Sequence, residues 1–299
     1  MKLLGFLFYA FLLPGGKKIP IKENYDYNNL KGNVKLVVTY NYQIFDSKKT
    51  LEQIDSSQYL SNGKISQEIF YNPEDKKSYK NMYAYDIQGN LILHLQFGIG
   101  ESFPSFKTKY KYDSIGNNIE RSESNRYDSV TYYVKNEFNG KQELIKETYY
   151  VKDSVTNITI YKYDNYGNKI FCHFNDKRLI CSEFYSYNFG SKVVKSHAYD
   201  TCGALITTAK TEYDKNGNLI KEQRISLYSI SKYRHSYDKR GNKINESGFS
   251  SLIDKPNQTS KINRVFRYHD FDKKGNWHIC KLYERWKLKS IKQREIAYY

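Results

Sequence analysis

The octapeptide YDKNGNLI, Tyr213–Ile220, decides how this chain folds, because it returns along the sequence in altered form. The other clear copies are YDIQGNLI at Tyr85–Ile92, YDSIGNNI at Tyr112–Ile119, YDNYGNKI at Tyr163–Ile170 and YDKRGNKI at Tyr237–Ile244. Weaker copies are centred on Gly32, Gly63, Gly140, Gly190 and Gly275. A glycine therefore recurs about every 25 residues, which is the signature of a repeat protein.

The segments between these glycines read as strands. A period of this length accommodates two strands of about eight residues and two turns. Lead-in segments such as KTKYKYD and lead-out segments such as NLIKEQRIS alternate in polarity, as strands with unlike faces do. The predicted fold class is all-β: a repetitive antiparallel meander of hairpins that forms one long, twisted and curled sheet. A β-sandwich or a propeller-like arrangement is the alternative, because a flat single layer leaves one face in water.

Turn chemistry accounts for most of the octapeptide. Aspartate at the first position of a type I turn accepts hydrogen bonds from backbone amides, and glycine supplies the positive φ that closes the hairpin with a bulge. The asparagine after glycine tolerates a similar conformation, and tyrosine and isoleucine can pack across the two arms. The predicted turn residues are Asp86, Gly89, Asp113, Gly116, Asp164, Gly167, Asp214, Gly217, Asp238 and Gly241.

Irregular turn-like segments lie midway between the marked glycines. Examples are YNPEDKKS at Tyr71–Ser78 and GIGESFPS at Gly98–Ser105. Consecutive turns of a meander fall on opposite edges of the sheet, so we expect the octapeptide turns on one edge and the irregular loops on the other. The copy YDTCGALI at Tyr199–Ile206 is out of phase, and this predicts the same turn used once on the opposite edge.

The composition indicates an ordered chain with a thin core. Of 299 residues 31 are tyrosine and only 5 are proline, whereas disordered chains are poor in aromatics and rich in proline. Residues 1–16 contain an apolar run too short to span a bilayer as a helix, and are predicted to be an export signal or an N-terminal hydrophobic segment. Residues 20–299 are predicted to form one repeat domain. The expected location is secreted, periplasmic or on the outer cell surface, without a transmembrane span in the mature chain.

A formal net charge of +16 suits an anionic partner such as an acidic glycan or a nucleic acid. The lysines are scattered through the strands and do not form a run. This pattern favours the simpler interpretation that they keep exposed strands soluble. Nucleic acid is the less favoured of the anionic partners.

No constellation of catalytic or metal-binding residues stands out. The D-x-x-G turns lack the further oxygen ligands of a calcium loop, and the six histidines have no metal-ligand spacing. We therefore expect no cofactor, no metal and no enzymatic activity. Cys172 and Cys181 flank the turn-like segment NDKR, and a hairpin symmetric about it would place them opposite each other, within reach of a disulfide.

The Y-D-x-x-G-N copies resemble the YD, or RHS-type, repeats of bacterial cell-surface and secreted proteins. The chain is most similar to short, stand-alone YD-repeat proteins of Bacteroidota in NLKGNVKLVVTYNYQIFDSK (Asn29–Lys48), KKGNWHICKLYERWK (Lys273–Lys287) and REIAYY (Arg294–Tyr299). The resemblance implies export and a strip of antiparallel hairpins, which in large RHS proteins curls into a shell around a toxin. This chain is much shorter and lacks a self-cleaving core segment and a C-terminal toxin.

The function expected from these observations is a non-enzymatic binding or structural scaffold of the cell envelope, with a carbohydrate or another envelope component as partner. The alternatives are a basic surface that binds an acidic polymer, or a remnant of an RHS-type toxin shell. Equivalent tyrosines of the octapeptides would form a ladder that could stack on sugars, although cross-strand packing is the simpler role. These tyrosines are Tyr85, Tyr112, Tyr163, Tyr213 and Tyr237.

Overall fold

A computed structural model describes residues 30–176, 179–187, 192–200, 202–255 and 257–299, and for residues 174–181 it describes no side chains. The described chain forms twenty β-strands. They are β1 Val34–Phe45, β2 Lys48–Tyr59, β3 Ile65–Asn72, β4 Lys77–Tyr85, β5 Leu91–Phe97, β6 Phe106–Tyr112, β7 Asn118–Asn125, β8 Val130–Phe138, β9 Leu144–Val151, β10 Ser154–Tyr163, β11 Lys169–Asp176, β12 Leu179–Tyr187, β13 Val193–Tyr199, β14 Leu205–Tyr213, β15 Leu219–Ser226, β16 Ser229–Tyr237, β17 Lys243–Leu252, β18 Thr259–Phe271, β19 Trp277–Glu284 and β20 Lys287–Tyr298.

Each strand pairs antiparallel with the strands before and after it in sequence, so the predicted all-β hairpin meander is confirmed. In addition, β1 pairs with β20 from Val34↔Tyr298 to Gln43↔Ser290, and this pairing closes the sheet into a barrel. The barrel replaces the sandwich and propeller alternatives. In the described part of the chain no strand approaches any strand except its two neighbours, as expected when twenty strands enclose more space than side chains fill.

The two ends of the barrel differ in their turns. The octapeptide turns of Gly89, Gly116, Gly167, Gly217 and Gly241 all connect an even-numbered strand to the next odd-numbered one, and therefore share one end. We call this end the YD rim. The irregular loops, such as residues 98–105 between β5 and β6, connect odd to even strands at the opposite end, the loop rim. The Gly203 turn joins β13 to β14, so the out-of-phase copy lies on the loop rim as predicted.

The barrel is closed at a seam where the two ends of the described chain meet. The side-chain amide of Asn276, which is 3% exposed, donates to the carbonyl of Lys31 (2.8 Å) and accepts from its backbone amide (2.7 Å). The same amide nitrogen of Asn276 lies 2.7 Å from the hydroxyl of Tyr298. The hydrophobic cluster of buried Val34, Val37 and Tyr59 lies beside these contacts.

Two expectations about individual turns were wrong. In the copy assigned to Gly140, the residue with positive φ is Gln142 (φ 63°), and its amide donates to the carbonyl of Asn139 at 2.9 Å. Gln142 therefore occupies the place that glycine has in the other turns. Position 142 lies almost midway between Gly116 and Gly167, as a regular repeat requires.

The hairpin of β11 and β12 also differs from the symmetric arrangement expected about NDKR. Asp176 pairs with Leu179, so the centre of the hairpin lies one residue later than expected. Cys172 is consequently opposite Glu183, and Cys181 is opposite Phe174. The side chain of Cys181 lies outside the described residues, as do the leader at 1–16 and Gly190, so the disulfide and the export signal stay predictions.

Within the described residues, no helix is long and apolar enough to cross a membrane.

Candidate functional site

The octapeptide turn is a self-contained hydrogen-bonded unit. In YDKNGNLI the amide of Gly217 donates to the carbonyl of Asp214, and the amide of Asp214 donates to the carbonyl of Asn218, both at 2.9 Å. The Asp214 carboxylate accepts from the backbone amides of Asn216 (2.9 Å) and Asn218 (2.8 Å). Gly217 has φ of 82°, the left-handed conformation that glycine adopts without a steric penalty.

The asparagine after glycine forms a local hydrogen bond within the turn. The side-chain amide of Asn218 donates to the second carboxylate oxygen of Asp214 at 2.9 Å, and the same contact joins Asn90 to Asp86 and Asn242 to Asp238. Asn218 is not among the residues with positive φ, so the expected strained backbone is absent there. These hydrogen bonds hold the pKa of the Asp214 carboxyl below its ordinary value.

The octapeptide tyrosines connect neighbouring hairpins. The hydroxyl of Tyr85 donates to the carbonyl of Ile65, that of Tyr112 to Leu91, and that of Tyr163 to Leu144, each at 2.8 Å. Tyr237 makes the equivalent contact to Leu219 at 3.0 Å. Around Tyr213 the structure places Lys192, whose Nζ lies 5.0 Å from the ring centroid. The rings are half-buried, and the four described hydroxyl contacts give the tyrosine ladder a structural role.

Strand register assigns every side chain to one of two faces of the sheet, because side chains alternate along a strand. The first, which we call the tyrosine face, carries Tyr83, Tyr132, Tyr149, Tyr161 and Tyr185. Most strand residues that are buried lie on it, including Val134, Thr159 and Cys172. Side chains crowd on the concave side of a curved sheet, so this burial assigns the tyrosine face to the interior of the barrel.

The tyrosine face contains a polar network centred on Glu147. Its carboxylate accepts hydrogen bonds from Tyr149 (3.2 Å) and from Tyr161. Burial, followed by the charge of Glu147, raises the pKa of Tyr161. On the neighbouring strands, Arg121 donates to the hydroxyl of Tyr132. Each group of this network has a partner on a nearby strand, so the network stabilises the barrel wall and leaves no free reactive group.

The opposite face, which we call the lysine face, is strongly basic. Among residues with a strand partner in the described chain it carries sixteen basic residues and four acidic ones. The basic residues are Lys49, Lys80, Lys107, Lys109, Lys111, Lys135, Lys146, Lys162, Lys195, Lys210, Lys221, Lys232, Arg234, Lys261, Arg267 and Lys281, and the acidic ones are Glu120, Glu137, Glu212 and Glu295.

The acidic strand residues concentrate on the tyrosine face. They are Asp55, Glu68, Glu123, Glu147, Glu183, Glu222, Glu246 and Glu284. The sheet therefore places most of the strand lysines, which look scattered in the sequence, on one face. A bulge beside each octapeptide turn shifts the alternation, for example between Glu212 and Tyr213, so this sorting requires the register and is not visible from the sequence.

One row of the lysine face lacks acidic residues. Cross-strand pairing connects Lys195 to Lys210, Lys210 to Gln223, Gln223 to Lys232, Lys232 to Phe249 and Phe249 to Lys261. We call Lys195, Lys210, Lys232 and Lys261 the lysine row; all four side chains are exposed. None of the four forms an ion pair with the described residues, whereas Lys111, Lys146 and Lys221 on the same face do.

A search of the described residues for three or more His, Cys, Asp or Glu side chains that could hold a metal ion finds no such group. Burial raises the pKa of the Cys280 thiol to about 11, which disfavours the reactive thiolate at neutral pH. The arrangement with the clearest chemical capacity is therefore the lysine row, which can bind an extended anion.

No protein-family model matches the chain, and no curated protein matches its sequence. Among solved structures, it is similar to a porin-like protein from Bacteroides uniformis, with 8% identity over 90% of this chain and 98% of that one, and a TM-score of 0.38. A porin-like protein from Bacteroides vulgatus has 12% identity over 88% of this chain and 98% of that one, with a TM-score of 0.30.

The chain is also similar to TcdB2-TccC3-Cdc42, with 14% identity over 86% of this chain and a TM-score of 0.33, and it spans 16% of the length of that chain. Similarity at this level assigns neither a family nor a function.

Proposed function

We propose that this protein is a non-enzymatic scaffold, secreted or located in the cell envelope, whose lysine face binds an acidic glycan. The observation that carries the proposal is the large excess of basic over acidic residues on the lysine face, together with the lysine row, which contains no acidic residue. A surface of one sign attracts an extended polymer of the opposite sign. The proposal adopts the alternative of a basic surface that binds an acidic polymer and assigns that role to the lysine face.

The spacing of the row favours a glycan over a nucleic acid. Neighbouring strands lie about 4.8 Å apart, so Lys210, Lys232 and Lys261, each two strands from the next, are about 10 Å apart along the row. Each strand of a DNA duplex carries one phosphate per about 3.4 Å of helix axis, which is denser along that axis than these cations are along the row. A polysaccharide with one carboxylate per one or two sugars has a charge spacing closer to that of the row.

Aromatic rings beside the cations fit the same ligand. On the lysine face, Lys80 Nζ lies 4.0 Å from the ring centroid of Phe97, and Lys162 Nζ lies 5.2 Å from that of Phe171. Sugar rings have apolar faces that pack on aromatic side chains, and their hydroxyl and carboxylate groups bind polar neighbours. A face that combines lysines with aromatic rings can therefore contact both parts of an acidic sugar.

The test is binding of the 20–299 chain to immobilised polygalacturonate at about 50 mM and about 200 mM salt, since ionic contacts weaken as salt rises. We expect binding at low salt that falls steeply at high salt, and no binding to neutral dextran. Stronger binding to single-stranded DNA than to polygalacturonate would overturn the choice of ligand. Absence of binding to every acidic polymer would overturn the proposed function.

The closure of the sheet also favours one competing function, a small shell around a cargo. That function requires contacts to the tyrosine face, because this face lines the interior. It predicts that removing positive charge from the lysine row leaves binding unchanged, so the same variants distinguish the two functions.

A further inference from the structure

An aromatic cluster lies on the lysine face next to one end of the lysine row. The ring centroids of Phe171 and Phe184 are 5.1 Å apart, and those of Phe184 and Tyr199 are 5.8 Å apart, both in edge-to-face geometry. His197 lies 6.3 Å from Tyr199. The cluster spans β11, β12 and β13, and the Phe184 side chain at its centre is 46% exposed. An exposed ring held by aromatic neighbours on both sides is a rigid platform.

The surface beside this platform has two shallow, open depressions. A depression of about 460 Å³ is lined by Ser182, Phe184, Tyr199, Asp200 and Gly203. A second depression of about 290 Å³ lies over the next two strands, and among its lining residues are Ile206, Thr208, Lys210 and Ile225. The first combines an aromatic wall with hydroxyl and carboxylate groups, which is the composition of a site that holds one polar ring.

Lys195 and Lys210 lie next to the platform and form no ion pair with the described residues; Glu212, two positions from Lys210 on the same face, pairs with Lys221. Lys195 and Lys210 are direct cross-strand partners, and like charges in this arrangement destabilise a sheet. Their next partners in the row, Ser186 and Gln223, are uncharged. The row containing Phe184 and His197 is two residues away along the strands, which is about 7 Å. An anion between the two lysines would relieve their repulsion and would lie one sugar length from Phe184.

We propose that this surface is a binding subsite for one carboxylated sugar residue of the glycan, and the inference rests on the proposed function. The apolar face of the sugar packs on Phe184, its carboxylate lies between Lys195 and Lys210, and its hydroxyl groups face Ser182 and Asp200. The remaining lysines of the row then contact the continuing chain through charge alone. The subsite gives selectivity, whereas the row gives salt-dependent affinity.

The test measures binding of an oligogalacturonate by calorimetry, with its neutral methyl ester as the matched ligand. We compare Lys195→Gln/Lys210→Gln with Lys232→Gln/Lys261→Gln, a variant that loses the same charge from the other end of the row. We expect the Lys195→Gln/Lys210→Gln variant to lose about tenfold more affinity than the Lys232→Gln/Lys261→Gln variant, a difference of about 1.4 kcal/mol in binding free energy. Phe184→Ala should lower affinity about tenfold at both low and high salt, whereas Phe103→Ala, in the loop between β5 and β6 and away from the lysine face, should not.

Circular dichroism confirms that each variant is folded, and Phe184→Leu, which keeps apolar volume without the ring, replaces Phe184→Ala if the latter does not fold. Equal losses from the two lysine pairs, or unchanged binding by the Phe184 variant, would overturn the subsite while the proposed function stands. If the unmodified protein binds no acidic polymer, the proposed function itself fails. The two failures are thus distinguishable.

Discussion

The hydroxyl of Tyr237 donates a hydrogen bond of 3.0 Å to the backbone carbonyl of Leu219, which belongs to the preceding octapeptide hairpin. The hydroxyls of Tyr85, Tyr112 and Tyr163 make the equivalent contact, each to a backbone carbonyl of the hairpin that precedes its own along the YD rim. In these four copies the recurring tyrosine therefore links neighbouring repeats. This matters in a barrel with few buried side chains, because each repeat is stabilised mainly by its neighbours.

Tyr237→Phe should lower the free energy of unfolding by about 1 kcal/mol, because it removes one hydrogen bond and leaves the Leu219 carbonyl without this donor. The measurement is the midpoint of urea denaturation. Tyr228→Phe is the matched control, since Tyr228 is 75% exposed in the loop between β15 and β16. Equal midpoints for the two variants would contradict the claim that the Tyr237 hydroxyl stabilises the contact between neighbouring repeats.

Gln142→Gly should stabilise the protein by about 0.5–1 kcal/mol, because Gln142 holds the left-handed conformation that side chains disfavour. Gly217→Ala should destabilise it by about 1–2 kcal/mol for the same reason. Gly140→Ala is the control: its φ is not positive, and an added Cβ would meet nothing within 4 Å. If Gly140→Ala proved as costly as Gly217→Ala, the assignment of the turn position to Gln142 would be wrong.

Gly248→Ala should be strongly destabilising, by about 1–3 kcal/mol, although Gly248 lies inside a strand and not in a turn. The added Cβ would collide with the backbone carbonyl of Lys232 and lie 2.6 Å from the Tyr233 ring. The same denaturation measurement tests it against Gly140→Ala. A neutral effect would show that β16 and β17 can move apart at this point.

Stability should decrease in acid below about pH 4. The pKa of Asp214 is lowered chiefly by hydrogen bonds from Asn218. For four other turn aspartates, desolvation raises the pKa, but hydrogen bonds outweigh it and the net shift is downward; they are Asp86, Asp113, Asp164 and Asp272. A lowered folded pKa means that the stabilisation is complete above the unfolded value of 3.8 and is lost as pH falls through the folded value.

Urea midpoints measured from pH 6 down to pH 2.5 test this dependence. Asp214→Asn should make the curve shallower, whereas Asp254→Asn, in an exposed loop, should leave its shape unchanged. A midpoint that does not change over this range would contradict the hydrogen-bonded role of the turn carboxylates.

The sequence predicted the local parts of this fold well. The regular return of Asp, Gly and Asn defines hairpins whose turns depend on residues within five positions, as in Asp214–Asn218. It also predicted which rim the Gly203 turn lies on, because a meander alternates its edges. Closure was not predictable in this way, since it depends on pairing between Val34 and Tyr298 and on the contact of Lys31 with Asn276.

The candidate site could not be predicted from the sequence either, for a related reason. Lys195, Lys210, Lys232 and Lys261 are separated by 15 to 29 residues in sequence and become a row only through the register of six strands. The bulges beside the octapeptide turns displace that register, for example between Glu212 and Tyr213. A sequence pattern with period two cannot follow these displacements.

The most direct test of the lysine row compares two quadruple variants of equal charge. One replaces Lys195, Lys210, Lys232 and Lys261 with Gln, and the other replaces Lys76, Lys141, Lys152 and Lys239, which are exposed in turns outside the lysine face. Affinity for polygalacturonate is measured as a function of salt. We predict that the row variant loses binding and most of its salt dependence, while the other variant retains both. Equal losses in the two variants, or unchanged binding by the row variant, would contradict the assignment of the ligand to this row.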